Sequence, residues 1–139
     1  MTTEAQVVAK IELALKRQLP GVVVFKLNDY SSANIPDLAI NYKQETTWVE
    51  VKLLKPKETT SKFKQHFQLS QLASNQLLWR QGQVYYFIAY DKGEQAVIAN
   101  PNEVNKMLEY DPPNLDQLIN LSRGDFNDVV DYLIWLVRP

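Results

Sequence analysis

The chain has no cysteine among its 139 residues, which excludes a disulfide framework, cysteine-bound zinc and a cysteine nucleophile. Its single histidine, His66, excludes any site built on paired imidazole ligands. Glycine is scarce as well. Gly21, Gly82, Gly93 and Gly124 stand far apart, leaving no glycine-rich loop to cradle a phosphate. The longest apolar run, Val84 to Tyr90, is seven residues, with six at Tyr132 to Val137, far short of the roughly 20 that a membrane-spanning helix needs. The first residues are polar and acidic and do not read as a secretory leader, so a cytoplasmic location is expected. Any chemistry is therefore left to carboxylates and lysines.

What is present is a folding composition, 45% hydrophobic and 22% charged, on a chain suited to one domain. The expected organisation is a core over about 3–99 with a helical addition over about 100–139. Residues Thr3 to Leu19 read as a helix stopped by Pro20-Gly21, with Val8, Ile11, Leu15 and Leu19 on one stripe. Glu4 falls near the middle of that stripe and Glu12 at its edge, and a carboxylate aimed at a core needs a partner. Three strand-like runs follow: Val22 to Leu27, Asp37 to Tyr42, and Thr46 to Leu54. The polar stretch Asn28 to Pro36 reads as a loop. Lysine-rich Lys55 to His66 reads as a loop with some helix. A helix capped by Ser70 is expected to run to Gln81 and stop at Gly82. Strands Gln83 to Tyr90 and Gln95 to Ala99, a helix opened by Asn100-Pro101 and running to Glu109, a short helix over Leu115 to Leu121 and a final helix from Asp125 to Val137 complete the chain. The sum is an α/β fold: a mixed sheet with flanking helices.

In a strand, residues two apart share a face, so Glu50 and Lys52 point the same way, with Trp48. Val49, Val51 and Leu53 point to the other face with Leu38, Ile40 and Tyr42, and that face must be core. A four-residue loop over Lys43 to Thr46 puts Asp37 across from Lys52, diagonal to Glu50, with small Ala39 opposite Glu50. Asp, Glu and Lys then converge on one patch. Hard carboxylate oxygens suit Mg²⁺, with Mn²⁺ as a substitute, and a neighbouring lysine can orient water and offset charge on a phosphoryl group. The bland alternative is an ordinary exposed ion pair across two strands.

Pro36-Asp37 followed by Glu50-Val51-Lys52 resembles the PD-(D/E)XK nuclease superfamily, and the spacing and preceding helix look most like Holliday-junction resolvases and VRR-type nucleases. The resemblance covers about residues 3 to 90. It implies a restriction-endonuclease-like fold, a Mg²⁺ site on Asp37 and Glu50, and Lys52 serving the attacking water. It further implies a helix-one glutamate completing the metal site, best matched by Glu4 with Glu12 as the fallback. Gln71, in Leu69-Ser70-Gln71, is the implied site-organising residue. Ile35 departs from the glycine that many relatives carry before the Pro-Asp pair.

Net charge is −1, but residues 1–90 hold 11 Lys+Arg against 7 Asp+Glu, while 91–139 hold 4 against 9. Lys55, Lys57, Lys62 and Lys64 follow the candidate strand and suit a phosphate backbone, with a merely solvated loop as the alternative. His66 reads as a surface or phosphate-contacting residue. No helix looks like a base reader, so the expected partner is DNA recognised by structure. The expected activity is endonucleolytic hydrolysis of DNA. The rival is a catalytically inactive DNA- or protein-binding module on the same fold, and RNA is a further substrate to test. The last helix is apolar nearly all round, so it is expected to be either deeply packed or, through Phe126, Val129, Val130, Leu133, Ile134 and Leu136, buried at a homodimer interface.

Overall fold

The computed structural model describes residues 2–27, 35–118 and 122–138, apart from the side chains of 69, 70 and 81. Most of the expected loop at 28–36, and the end of the expected short helix, lie outside the described residues. Helix α1 (Glu4–Gln18) starts at a capping box in which Thr3 and Gln6 each satisfy the other's backbone N–H. Strands β1 (Val23–Lys26), β2 (Leu38–Tyr42) and β3 (Glu45–Leu53) follow as an antiparallel run. Helices α2 (Thr60–Gln65) and α3 (Leu69–Gln81) carry the chain across to β4 (Gln83–Tyr90), which lies parallel to β3. β5 (Gln95–Ala99) returns antiparallel. It leads into α4 (Pro101–Leu108), a short 3-10 turn at Leu115–Gln117, β6 (Arg123–Asp125) and α5 (Phe126–Val137). The result is one six-stranded mixed sheet in the order β1-β2-β3-β4-β5-β6, flanked by helices.

Strand periodicity divides the interior in two. Val49 and Val51 face the layer made by α1 and α5, joining Val7, Ile11, Leu133 and Ile134. Tyr86, Ile88 and Val97 face the other layer, with Leu72 from α3 and Val104 and Met107 from α4. All four residues of the expected α1 stripe are buried.

Three expectations need correction. The β2–β3 loop is two residues, Lys43 and Gln44, both with positive φ (50° and 69°), and Tyr42 pairs with Glu45. The register therefore slips by two residues from the expected pairing, so Ala39 lies opposite Trp48 instead of Glu50. A slip of two keeps every side chain on its expected face; a slip of one would have reversed them. Second, α3 begins at Leu69 with Gln68 as its N-cap, two residues ahead of the expected cap Ser70, and has no side-chain cap hydrogen bond. Third, Phe126, Val129, Val130, Leu133 and Ile134 are all buried in the chain's own core, and Leu136 packs against it. The apolar character of α5 is thus accounted for within one chain, and the reason for a dimer through those residues falls away. Tyr132 and Trp135 stay exposed and stack on each other at 5.8 Å. β6, too short to leave a pattern, was not expected at all.

The roles of these helix faces can be measured. Leu133→Ala should cost about 2–5 kcal/mol of unfolding free energy, whereas Leu13→Ala, on the exposed face of α1, should stay within about 0.5 kcal/mol. Urea melts should give midpoints independent of protein concentration. A concentration-dependent midpoint would contradict the intramolecular role of α5.

Candidate functional site

The site forms because β3 is longer than β2. Pairing between them ends at Leu38–Val49, so residues 50–53 of β3 run on past their antiparallel neighbour. Their backbone N–H groups on that side need acceptors from elsewhere. Asp37, the residue just before β2, supplies one: its Oδ2 accepts from Val51 N at 2.7 Å. Glu4, in the first turn of α1, supplies the next: its Oε1 accepts from Leu53 N at 3.3 Å. Val51 and Leu53 are two residues apart, so the two carboxylates sit roughly 7 Å apart along one open edge.

On the α3 side of β3, Glu50 is buried at 3% exposure. Lys52 Nζ lies 3.0 Å from Glu50 Oε2 and donates to Gln71 Oε1 at 3.2 Å. Gln71 is itself buried, in the first turns of α3. The structure thus brings Asp37, Glu50, Lys52 and Gln71 together. The other oxygen of Glu50, Oε1, is buried with no hydrogen-bond partner. Burial pushes the Glu50 carboxyl up to about 7; Lys52 pulls it down and Asp37 pushes it up again. Asp37 is also raised, chiefly by burial, against the Val51 N–H and Lys52, which favour its charged form.

An orphaned carboxylate oxygen beside a second carboxylate is what a hard cation would satisfy, and Mg²⁺ needs only one or two carboxylates. The donor set fits in type. It is not larger than a pair: among the described residues no group of three or more His, Cys, Asp or Glu gathers to hold a metal. Glu4, expected as the third ligand, is engaged with the strand backbone instead. Glu12, the fallback, is bound to Lys16 at 3.0 Å and Lys26 at 3.7 Å.

Lys55, Lys57, Lys62 and Lys64 are exposed on the segment following β3. His66 is held by Glu58, its Nε2 lying 3.0 and 2.9 Å from the two carboxylate oxygens. That pairing fixes the basic segment, because Glu58 Oε1 also accepts from Lys55 N at 2.6 Å. The sequence reading missed Asn75 and Tyr86. Asn75, one turn after Gln71, is fully buried and donates to the Tyr86 hydroxyl at 3.0 Å. Tyr86 pairs with Glu50 in the parallel register, and burial raises its hydroxyl to about 12. The i, i+4 spacing on α3 was a visible signal for Asn75. Nothing marked Tyr86, since the β3–β4 register is not written in either strand alone.

No protein-family model, curated protein or solved structure matches the chain.

The raised Glu50 has a consequence for stability. The folded state holds this proton more tightly than the unfolded chain, whose ordinary value is 4.5. Its contribution is therefore complete below about pH 4.5 and is lost as pH rises through about 7, a cost on the order of 3 kcal/mol. In the presence of EDTA, the stability of wild type relative to Glu50→Gln should fall as pH rises from 5 to 8. An unchanged difference across that range would refute the raised carboxyl.

Proposed function

We propose that the chain is a divalent-cation-dependent deoxyribonuclease on a restriction-endonuclease-like fold, cutting DNA internally and directed by structure over sequence. One observation carries this reading: the buried Glu50 carboxylate, one oxygen without a donor, lies beside Asp37 and 3.0 Å from the Lys52 ammonium. Few structural ion pairs are left so incompletely satisfied, because an unmade buried hydrogen bond costs about 1–3 kcal/mol.

Asp37 and Glu50 would hold Mg²⁺ or Mn²⁺, which when bound supplies charge neutralisation and polarises a phosphoryl oxygen. The chain's own residues do the rest. Lys52 keeps a fixed positive charge at the site and can donate to the attacking water and to oxygens gaining charge as the phosphodiester P–O bond breaks. Gln71 and Glu50 take two of the three ammonium hydrogens and so aim the third. Val51 N–H holds Asp37 at one oxygen, and the Asp37 and Glu50 side chains lie within hydrogen-bonding reach of each other. The exposed lysines from Lys55 to Lys64 supply sequence-independent attraction for phosphates.

A second reading has its own support. Glu4 is spent on Leu53 N and does not complete a three-carboxylate cluster, as would suit a module that binds DNA without cutting it.

Plasmid, single-stranded and branched DNA, with RNA in parallel, should separate the two. With Mg²⁺ or Mn²⁺ the wild-type protein should cleave at least one DNA substrate, and EDTA should stop it. Asp37→Ala and Lys52→Ala should each lower the rate by about 10²-fold or more. A wild-type protein that leaves every substrate intact, yet retards it in a binding assay, would favour the non-catalytic module.

A further inference from the structure

A groove of about 1030 Å³ opens at the C-terminal end of β3, walled by α1 and the β4–β5 turn. Three lysines from distant parts of the chain meet there: Lys10 on α1, Lys55 after β3, and Lys92 in the turn. Among the described residues lining it none is acidic, although Lys92 belongs to the strongly acidic part of the sequence. The rest of the lining is mainly apolar, with Ala9, Leu53 and Pro56 contributing. Lys10 Nζ lies 5.5 Å from the Phe126 ring centroid, a contact that steadies the side chain without neutralising it. Lys92 is presented by residues 91–93, all with positive φ, so its position is set by an unusual backbone. The turn is pinned from the other side by Thr2, whose side chain comes so near Gly93 that an added Cβ would meet it at 3.0 Å.

Cations on the rim and hydrocarbon on the floor call for a ligand with regularly placed anions and exposed flat apolar faces. A duplex shows its phosphates but hides the faces of its bases, whereas an unpaired strand shows both. The groove also begins at Leu53, the residue after Lys52, whose backbone Glu4 ties to α1. We propose that it receives an unpaired nucleic-acid strand leading away from the candidate site, with phosphates on Lys10, Lys55 and Lys92 and bases against the apolar floor. The substrate class is then DNA with a single-stranded segment beside the reacting phosphate, such as a frayed end, flap or branch. This rests on the nuclease reading for its substrate, but the groove can be tested without cleavage.

The direct test is fluorescence anisotropy in EDTA with a labelled single-stranded oligonucleotide and a blunt duplex of equal length. Lys10→Gln/Lys92→Gln changes two exposed side chains, and Ala9→Glu puts a carboxylate on an exposed position of α1. Each variant should weaken single-strand binding about tenfold at low salt. The double variant should also reduce the slope of log K against log salt by about 1.4, at roughly 0.7 per phosphate for a single strand. Duplex binding should change much less. Equal losses on both DNAs would overturn the unpaired-strand assignment, and unchanged single-strand binding would overturn the groove altogether. Stronger binding of a polyglutamate peptide than of the oligonucleotide would reassign it to an acidic polypeptide. Wild-type protein that cuts nothing but shows the expected binding losses would remove the nuclease reading and keep the groove.

Discussion

The buried carboxylate of Glu50 is the constraint around which the rest is arranged. It sits at 3% exposure with a lysine as its ion partner and one oxygen unpaired. Burying a charge costs several kcal/mol unless it is compensated, and removing one partner of a buried pair typically costs about 3–5 kcal/mol. Lys52 on the same face pairs with it, Gln71 holds Lys52, and Asp37, just before β2, sets a second carboxylate beside it. The sheet beneath must be apolar and rigid to hold them, and Val49 and Val51, which alternate with these residues, supply that.

Length mismatch between strands makes the site accessible. Had β2 continued, its backbone would have accepted the Val51 and Leu53 N–H groups and covered the edge. Instead two side-chain carboxylates take those bonds, one from the chain just before β2 and one from α1. A carboxylate oxygen has more acceptor capacity than one N–H uses. Asp37 can therefore serve the strand and a cation at once. Glu4 stands one step further along the edge, where the lysine-rimmed groove begins. The groups that cap this edge would then also serve the proposed cation, and Lys10, Lys55 and Lys92 line the groove that begins beside them.

Much of this was legible from residue order. Strict alternation over residues 48–53 told which side chains face the core, and the i, i+3, i+4 stripe of α1 told which face it buries. The clustering of Asp37, Glu50 and Lys52 followed from those periodicities and survived a register error, since a two-residue slip preserves faces. The slip itself was not legible. Type I′ turns usually advertise themselves with Asn-Gly or Asp-Gly, and here Lys43 and Gln44 adopt positive φ without any such residue. Long-range pairings were hidden for a related reason. The parallel β3–β4 register that sets Tyr86 beside Glu50, and the three-residue β6, are decided by packing between segments far apart in sequence. The apolar α5 was ambiguous because an all-round hydrophobic helix reads the same whether its partner is its own sheet or another chain.

Metal binding at the Asp37–Glu50 pair is open to calorimetry. A carboxyl with a pKa near 7 must lose its proton to hold a cation, so binding near neutrality should release protons. Titration of Mn²⁺ or Mg²⁺ into the protein at pH 7, in two buffers of different ionisation enthalpy, should show one site and a net release approaching half a proton or more. Asp37→Asn and Glu50→Gln should each abolish that heat. No binding by the wild-type protein, or binding that persists unchanged in both variants, would contradict a metal site at this pair.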